Sequence, residues 1–348
     1  MKIVLDEKIP YLSAALEDMG HEVIGMPGVA ISKNEVADAG ALFVRTRTKC
    51  DAALLEGSAV RFIGTATIGY DHIDAAYCDA NGIAWASAPG CNAGAVLQYV
   101  QSVLYSWAVD RGVGLKGLVL GVVGVGMIGS RVADWARSIG MRVLLNDPPR
   151  ESRGEKGFLP LRVLTKECDI ITFHPTLSRE GDFPSYHLAD EAFFDSLDHC
   201  RLLVNASRGP VVDNSALGQA LEDGRLEDAV LDVWENEPEI DKSLLNKVYI
   251  ATPHIAGYSA EGKMNASRMM LEAFARFVGY KGVLPSISLP APRETSITAG
   301  SECEALLRIY SPKSDSAALK SEPSAFERLR NEYNLRREPS SYNVVILP

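Results

Sequence analysis

Apolar and polar positions along the chain follow two alternating periods. Short apolar runs bounded by glycine, proline or charge recur and read as strands of a parallel sheet, the run Leu118–Val123 as one buried on both faces. They fall at Lys2–Leu5, Glu22–Gly25, Ala41–Val44, Arg61–Gly64, Ile83–Ala86, Leu118–Val123, Met141–Leu145, Cys168–Phe173, Cys200–Val204, Ala229–Trp234 and Tyr249–Ala251. Between several of them apolar residues recur three and four apart, which predicts helices over Tyr11–Met19, Asn34–Ala39, Ala93–Asp110 and Ile128–Ile139, with Asn92 placed to cap the third. Such alternation predicts open α/β sheets. Pro148–Gly154 reads as a loop. Beyond a Pro285–Pro292 linker, a last segment carries expected helices around Glu304–Tyr310 and Ala325–Tyr333 and a strand at Val344–Leu347.

One stretch is more specific than periodicity. The run Leu118–Val123 leads directly into Gly124-Val-Gly126-Met127-Ile128-Gly129, a helix, and a second strand ending in Asn146-Asp147. In this order the first glycine permits a tight turn, the second lets backbone approach a pyrophosphate, and the third lets helix and strand pack closely. The helix from Ile128 to Ile139 aims free N–H groups at that phosphate, with Met127 and Ile128 among the expected contacts. Asp147 stands where a carboxylate reaches a ribose 2′-hydroxyl and repels a 2′-phosphate, so NAD is favoured. Arg150 and Arg153, just beyond, keep NADP as a minor alternative.

Composition narrows the partners. The chain has 348 residues, 47% of them hydrophobic, enough for two or three domains. A net charge of −10 argues against nucleic acid or an anionic membrane as partner. The opening MKIVLDEKIP lacks a signal-peptide core, and no run approaches the ~18 apolar residues of a membrane span. Cys50, Cys78, Cys91, Cys168, Cys200 and Cys303 are scattered without metal-ligand spacing, so a reducing cytoplasm and no metal are expected.

Polar clusters follow the strands, where open α/β sheets place their ligands. Arg45-Thr46-Arg47 ends one strand and suits an anion; the alternative is a solvated charge cluster. Thr65 and Thr67 end the next. Arg208 lies just past a buried strand and before a glycine, suited to a bidentate grip on a carboxylate or else to a salt bridge closing the sheet edge. Glu237 precedes a proline. His254 follows a strand end, with His174 and His72 as rivals. Oxidising an alcohol by hydride loss needs a base for the hydroxyl proton, a carboxylate to fix the imidazole behind it, and a cation for an acidic substrate. His254, Glu237 and Arg208 fit those roles.

GVVGVGMIG, NASRGPVVD, LDVWENEP and TPHIAGYSAEGK resemble the D-isomer-specific 2-hydroxyacid dehydrogenases, from Met1 to about Tyr280. GTATIGYDHID, APGCNAGAVLQYV and SAFERLRNEYNLRREPSS resemble a branch of that family acting on a phosphorylated hydroxy acid. The resemblance implies Arg208 and Glu237 as active-site residues and His254 as proton donor or acceptor. It further implies NAD contacts from Asp147, Ala206, Ser207, Arg208, Asp232 and Gly257, and substrate contacts from Thr46, Thr67 and Tyr258. The family usually reads His-Thr-Pro-Leu where this chain reads His174-Pro175-Thr176-Leu177, so the threonine contact to NAD is expected from Thr176, beside Pro175, or is lost.

The implied architecture is a Rossmann-type doubly wound NAD domain over 94–257, inserted in a flavodoxin-like substrate domain over 1–93 that is completed by 258–284. A small α+β C-terminal dimerisation domain over 285–348 follows, and the resemblance implies a homodimer. A phosphorylated substrate is assigned to Arg45, Thr46, Arg47 and Thr67, with Arg336 or Arg337 as a weaker expectation across a dimer interface. The competing readings are a 3-phosphoglycerate-type dehydrogenase of the same family and an NAD-sensing, corepressor-like binding protein.

Overall fold

The computed structural model describes residues 1–347, which divide into two compact units. The first unit comprises Met1–Asn92 and Ser259–Ala291. Its strands are β1 (Lys2–Asp6), β2 (Glu22–Met26), β3 (Ala41–Val44), β4 (Phe62–Thr65) and β5 (Ala84–Ala86), all parallel in the order β2-β1-β3-β4-β5. That is the flavodoxin-like order. Ala41, Leu42, Phe43 and Val44 are fully buried, which is why this strand reads as continuously apolar. The helix Ala260–Phe277 covers one face, setting Phe274 edge-on to Phe43 at a centroid distance of 5.6 Å.

The second unit comprises Ala93–Tyr258 and the segment from Pro292 onward. It contains β6 (Val119–Val123), β7 (Arg142–Asn146), β8 (Ile170–Phe173), β9 (Leu202–Asn205), β10 (Asp228–Leu231) and β11 (Ile250–Ala251). They pair in parallel in the order β11-β10-β9-β8-β6-β7. The chain steps from β6 to β7 on one side, then crosses to β8 on the other. The carboxyl end of β6 is therefore the switch point at which doubly wound sheets open a ligand crevice. The helix Ala93–Arg111 buries Tyr99, Val100, Val103, Leu104 and Trp107 completely, which explains its apolar residues on every face.

The tail belongs to this second core. Leu319 and Phe326 are buried in the same apolar cluster as Leu203, Leu217 and Leu231. Its strands β12 (Ser296–Ala299) and β13 (Asn343–Ile346) pair in parallel. Its helices run over Glu302–Ile309, Pro312–Ser321 and Phe326–Asn331. β12 and the helix Pro312–Ser321 were not foreseen, because short mixed stretches with serine and lysine carry no clear period.

Two local expectations are corrected. Pro148–Ser152 is a helical turn rather than loop: proline at its first position fits a helix start, and Asp147 accepts the Arg150 N–H as N-cap. Asn92 does not cap the helix after it; its Oδ1 is buried without a partner, and its Cα and Cβ lie where a Cβ on Gly262 would press.

Candidate active site

The glycine turn explains itself through what a side chain would strike. A Cβ on Gly124, at φ 82°, would collide with the His174–Pro175 peptide, and one on Gly129 with the Gly124 carbonyl. A Cβ on Gly126 would meet nothing. The middle glycine thus leaves backbone bare beside the helix Met127–Ser138, whose N-cap Gly126 supplies no side-chain acceptor. The amides of Met127, Ile128 and Gly129 have no intrahelical partner, as an anion site requires.

Asp147 closes the turn. Its Oδ2 accepts the Val125 N–H at 2.8 Å and its Oδ1 the Arg150 N–H at 3.0 Å, and each oxygen keeps lone-pair capacity for a ribose hydroxyl. Arg150 donates to the Val125 carbonyl at 2.6 Å and pairs with Glu155, which also stands 3.6 Å from Arg153. One carboxylate therefore occupies both arginines on which a 2′-phosphate reading depended. His174 is held at the end of β8, with Nε2 2.9 Å from Thr172 Oγ1 and Nδ1 buried without a partner. Burial pushes its pKa down to about 3. With no carboxylate on its ring, it lacks what an acid/base histidine needs.

At the end of β9, Asn205 arranges the next cluster. Its Oδ1 accepts the Ser207 N–H at 3.1 Å and the Ser207 hydroxyl at 2.8 Å, while its amide donates to the Arg208 carbonyl at 3.0 Å. The half-buried Arg208 guanidinium donates to the Ser207 carbonyl at 2.8 Å and meets no carboxylate among the described residues. Such a guanidinium is suited to an incoming anion rather than to closing the sheet edge. Ala206 and Ser207 are buried beside it. A Cβ on Gly209 would collide with the Trp234 carbonyl, so only glycine lets this turn lie against the loop that carries Glu237. His187 braces both loops, with Nε2 2.8 Å from Glu235 and Nδ1 3.4 Å from Asp213. This is the grouping among the described residues that offers three metal-type ligands, and both ring nitrogens already face carboxylates.

His254 and Glu237 meet here. His254 Nδ1 lies 2.8 Å from Glu237 Oε2, and Glu237 Oε1 accepts the Trp234 N–H at 2.9 Å. Burial raises the pKa of Glu237, but the bond to His254, its charge, the Trp234 N–H and the nearby Arg330 outweigh burial and hold it below its usual value. An ionised carboxylate on Nδ1 fixes the tautomer and leaves Nε2 as the working atom. Asp232, only 1% exposed, accepts the Thr252 hydroxyl and the N–H groups of Ile255 and Ala256. It is thereby committed to the histidine loop, and burial raises its pKa. Gly257 and Tyr258 follow, both partly exposed.

The tail reaches this loop. Arg336, 8% exposed, donates to the carbonyls of Ala95, Ile255, Ala256 and Tyr258 and stacks 4.3 Å from the Tyr310 ring centroid. Its guanidinium is used up inside its own chain, which corrects the expectation that it grips a phosphate across an interface. Arg330 donates to Tyr258 Oη at 3.2 Å and lies 3.9 Å from Glu237 Oε2. Neither role was legible from sequence; the one available signal was arginine density in LRNEYNLRRE.

In the first unit, Arg45 is committed to Asp6, Nε to Oδ2 at 3.1 Å, with Asp6 1% exposed. Thr46 and Arg47 are exposed just beyond it. Thr67 donates to the Gly69 carbonyl at 2.8 Å and lies 2.6 Å from Thr65 Oγ1, which in turn is 2.9 Å from His72 Nε2. Burial lowers the pKa of His72. At the end of β8, Pro175 is partly buried and Thr176 is exposed.

Comparison with known proteins accords with this geometry. Residues 95–256 match the D-isomer specific 2-hydroxyacid dehydrogenase, NAD binding domain. The chain belongs to the D-isomer-specific 2-hydroxyacid dehydrogenase family and carries its NAD-binding domain. Among named relatives it is similar to the erythronate-4-phosphate dehydrogenase of Bacteroides fragilis, 52% identical over 99% of both chains. That of Proteus mirabilis is 44% identical over 99% of this chain and 95% of its own. Of solved structures, D-lactate dehydrogenase from Aquifex aeolicus, complexed with NAD and lactic acid, superposes with a TM-score of 0.63 at 26% identity, covering 80% of this chain and 96% of that one. NAD-bound 3-phosphoglycerate dehydrogenase of Entamoeba histolytica gives 0.66 at 25% identity, with the same coverage.

Proposed function

We propose that the chain oxidises 4-phosphoerythronate at its C2 hydroxyl to 2-oxo-3-hydroxy-4-phosphobutanoate, with NAD, in vitamin B6 biosynthesis. The observation that carries the chemistry is the 2.8 Å pairing of His254 with Glu237 on a sheet edge shared with the carboxylate-free Arg208. The substrate identity rests on relatives named for it at 42–52% identity over nearly the whole chain.

NAD, when bound, would supply the acceptor for the hydride leaving C2. Its pyrophosphate is assigned to Gly124, Gly126, Met127, Ile128 and Gly129, and its adenosine ribose to Asp147. The remaining cofactor contacts are assigned to Pro175, Thr176, Ala206, Ser207, Arg208, Asp232 and Gly257. Arg208 holds the substrate carboxylate and orients C2. His254 Nε2 takes the hydroxyl proton, and Glu237 stabilises the imidazolium that results. Tyr258, Thr46, Thr67 and Arg47 are assigned to the substrate, Arg47 and Thr46 to its phosphate; Arg45 serves that strand end through Asp6. The 3-phosphoglycerate and corepressor-like alternatives are set against the relatives' shared name.

We further propose a cytoplasmic homodimer. Among the described residues no helix is long and apolar enough to cross a membrane, and all six cysteines are free thiols. Val344, Val345, Ile346 and Leu347 are each at least a third exposed on a two-stranded sheet too small to hide them, a surface that a second copy would cover. The test of function is NADH formation from 4-phosphoerythronate against 3-phosphoglycerate. At least a hundredfold preference in kcat/KM for the former is expected; the reverse preference would assign the other dehydrogenase activity, and NAD binding without turnover would favour the sensor.

A further inference from the structure

The acid/base pair has a third charged neighbour that the reaction as described does not use. Arg330 comes from the C-terminal segment, on the helix Phe326–Asn331, whose Phe326 is buried in the main core of the second unit with Leu329 packed against it. Its Nη1 stands 3.9 Å from Glu237 Oε2, the same oxygen that engages His254 Nδ1. Its Nε donates to Tyr258 Oη at 3.2 Å. One guanidinium therefore faces both the carboxylate behind the base and the hydroxyl assigned to the substrate.

We propose that Arg330 is a positioning residue of the reaction, which balances the charge of Glu237 when His254 is neutral. The inference rests on the assignment of His254 as base. Before proton transfer, Glu237 is a half-buried carboxylate whose other contacts are neutral N–H groups, and Arg330 supplies its positive partner. Once His254 is protonated, the imidazolium takes up that role and Arg330 opposes it, so the pair does not hold its proton too strongly to return it. The other charged groups around the pair are Asp232 and Arg336 beneath the histidine loop, Glu235 with His187 on the neighbouring loop, and Arg208 at the end of β9. Around Glu237 Oε2 itself stand His254 Nδ1 and Arg330 Nη1.

The experiment compares Arg330→Met and Arg330→Lys with wild type, and uses Arg328→Gln, an exposed neighbour paired with Glu322, as a control for the helix. The pH profile of kcat/KM for 4-phosphoerythronate oxidation is measured with NAD affinity and thermal unfolding. In Arg330→Met the limb on which the rate rises with pH moves upward by about half a unit or more, and kcat at neutral pH falls roughly tenfold. Lysine, which keeps the charge, restores most of the pH profile; NAD affinity and Arg328→Gln stay near wild type. The His254 imidazole followed by NMR reads the same coupling without substrate, and its midpoint rises in Arg330→Met. Absence of turnover in wild type would remove the substrate assignment while leaving this readout intact. A midpoint and limb that do not move, or equal losses in the Met and Lys variants with a lowered unfolding temperature, would overturn the proposal and leave Arg330 a packing residue.

Discussion

Asp232 holds His254 without touching its imidazole. The Asp232 carbonyl accepts the His254 N–H at 2.7 Å, and its carboxylate accepts the N–H groups of Ile255 and Ala256 at 2.8 and 2.9 Å. These bonds keep His254 at φ 57°, a left-handed conformation that residues with a Cβ seldom adopt and that persists only where surroundings enforce it. Asp232→Asn replaces one acceptor by a donor facing buried N–H groups, a mismatch of about 1–3 kcal/mol. We expect a lowered unfolding temperature and a kcat reduced by roughly tenfold or more, as misplaced catalytic groups give. Normal turnover in a variant of normal stability would show that the loop keeps its shape without this carboxylate.

His174 should remain neutral wherever the protein works. Its folded pKa of about 3 lies below the 6.5 of an unperturbed imidazole. Between those values the unfolded chain binds a proton that the folded one does not. Its contribution to stability is thus complete above about pH 6.5 and is lost as pH falls toward 3. Denaturant unfolding at pH 7 and pH 5 should show a smaller pH-dependent loss for His174→Gln than for wild type. Equal slopes would mean that the imidazole is solvated in the folded state.

Cofactor choice involves two carboxylates. Asp147→Ala should weaken NAD binding by about tenfold, the worth of one or two hydrogen bonds to the ribose. It should gain little for NADP, because Glu155 still occupies Arg150 and Arg153. Adding Glu155→Gln frees those arginines, and the double variant should narrow the NAD to NADP efficiency ratio further. An unchanged ratio in both would displace Asp147 from the ribose.

Arg45 and Arg47 should separate. Arg45→Ala leaves the buried Asp6 carboxylate unpaired, so it should lower stability and reduce turnover of phosphorylated and unphosphorylated acids alike. Arg47→Ala should cost roughly tenfold in kcat/KM with the phosphorylated acid and leave the unphosphorylated one nearly unchanged. Equal losses on both acids in Arg47→Ala would remove it from the phosphate.

What was legible in the sequence is what periodicity and short-range geometry determine. Ala41–Val44 announces itself because a strand buried on both faces tends to be apolar throughout. Gly124, Gly126 and Gly129 are readable because each answers a local steric demand. Arg208, Glu237 and His254 could be named from their places after strands and from the chemistry. Arg336 could not, because its partners Ala95 and Ile255 lie far from it along the chain and are backbone carbonyls that leave no mark in composition. Arg45 misled for a related reason: nothing near it in sequence reveals that Asp6 faces it from the next strand. The helix Pro312–Ser321 has one buried stripe diluted by serine and lysine, too faint for a period to emerge.

The central claim is that His254, held by Glu237, moves the proton in oxidation of 4-phosphoerythronate. The most direct test is the initial rate of NADH formation by wild type, His254→Asn and His174→Asn, each with its NAD affinity measured. The account predicts turnover in wild type, a fall of about 10²- to 10⁴-fold in kcat for His254→Asn with NAD affinity retained, and turnover close to wild type in His174→Asn. Near-normal kcat in His254→Asn with loss in His174→Asn would contradict it and move the proton to the end of β8.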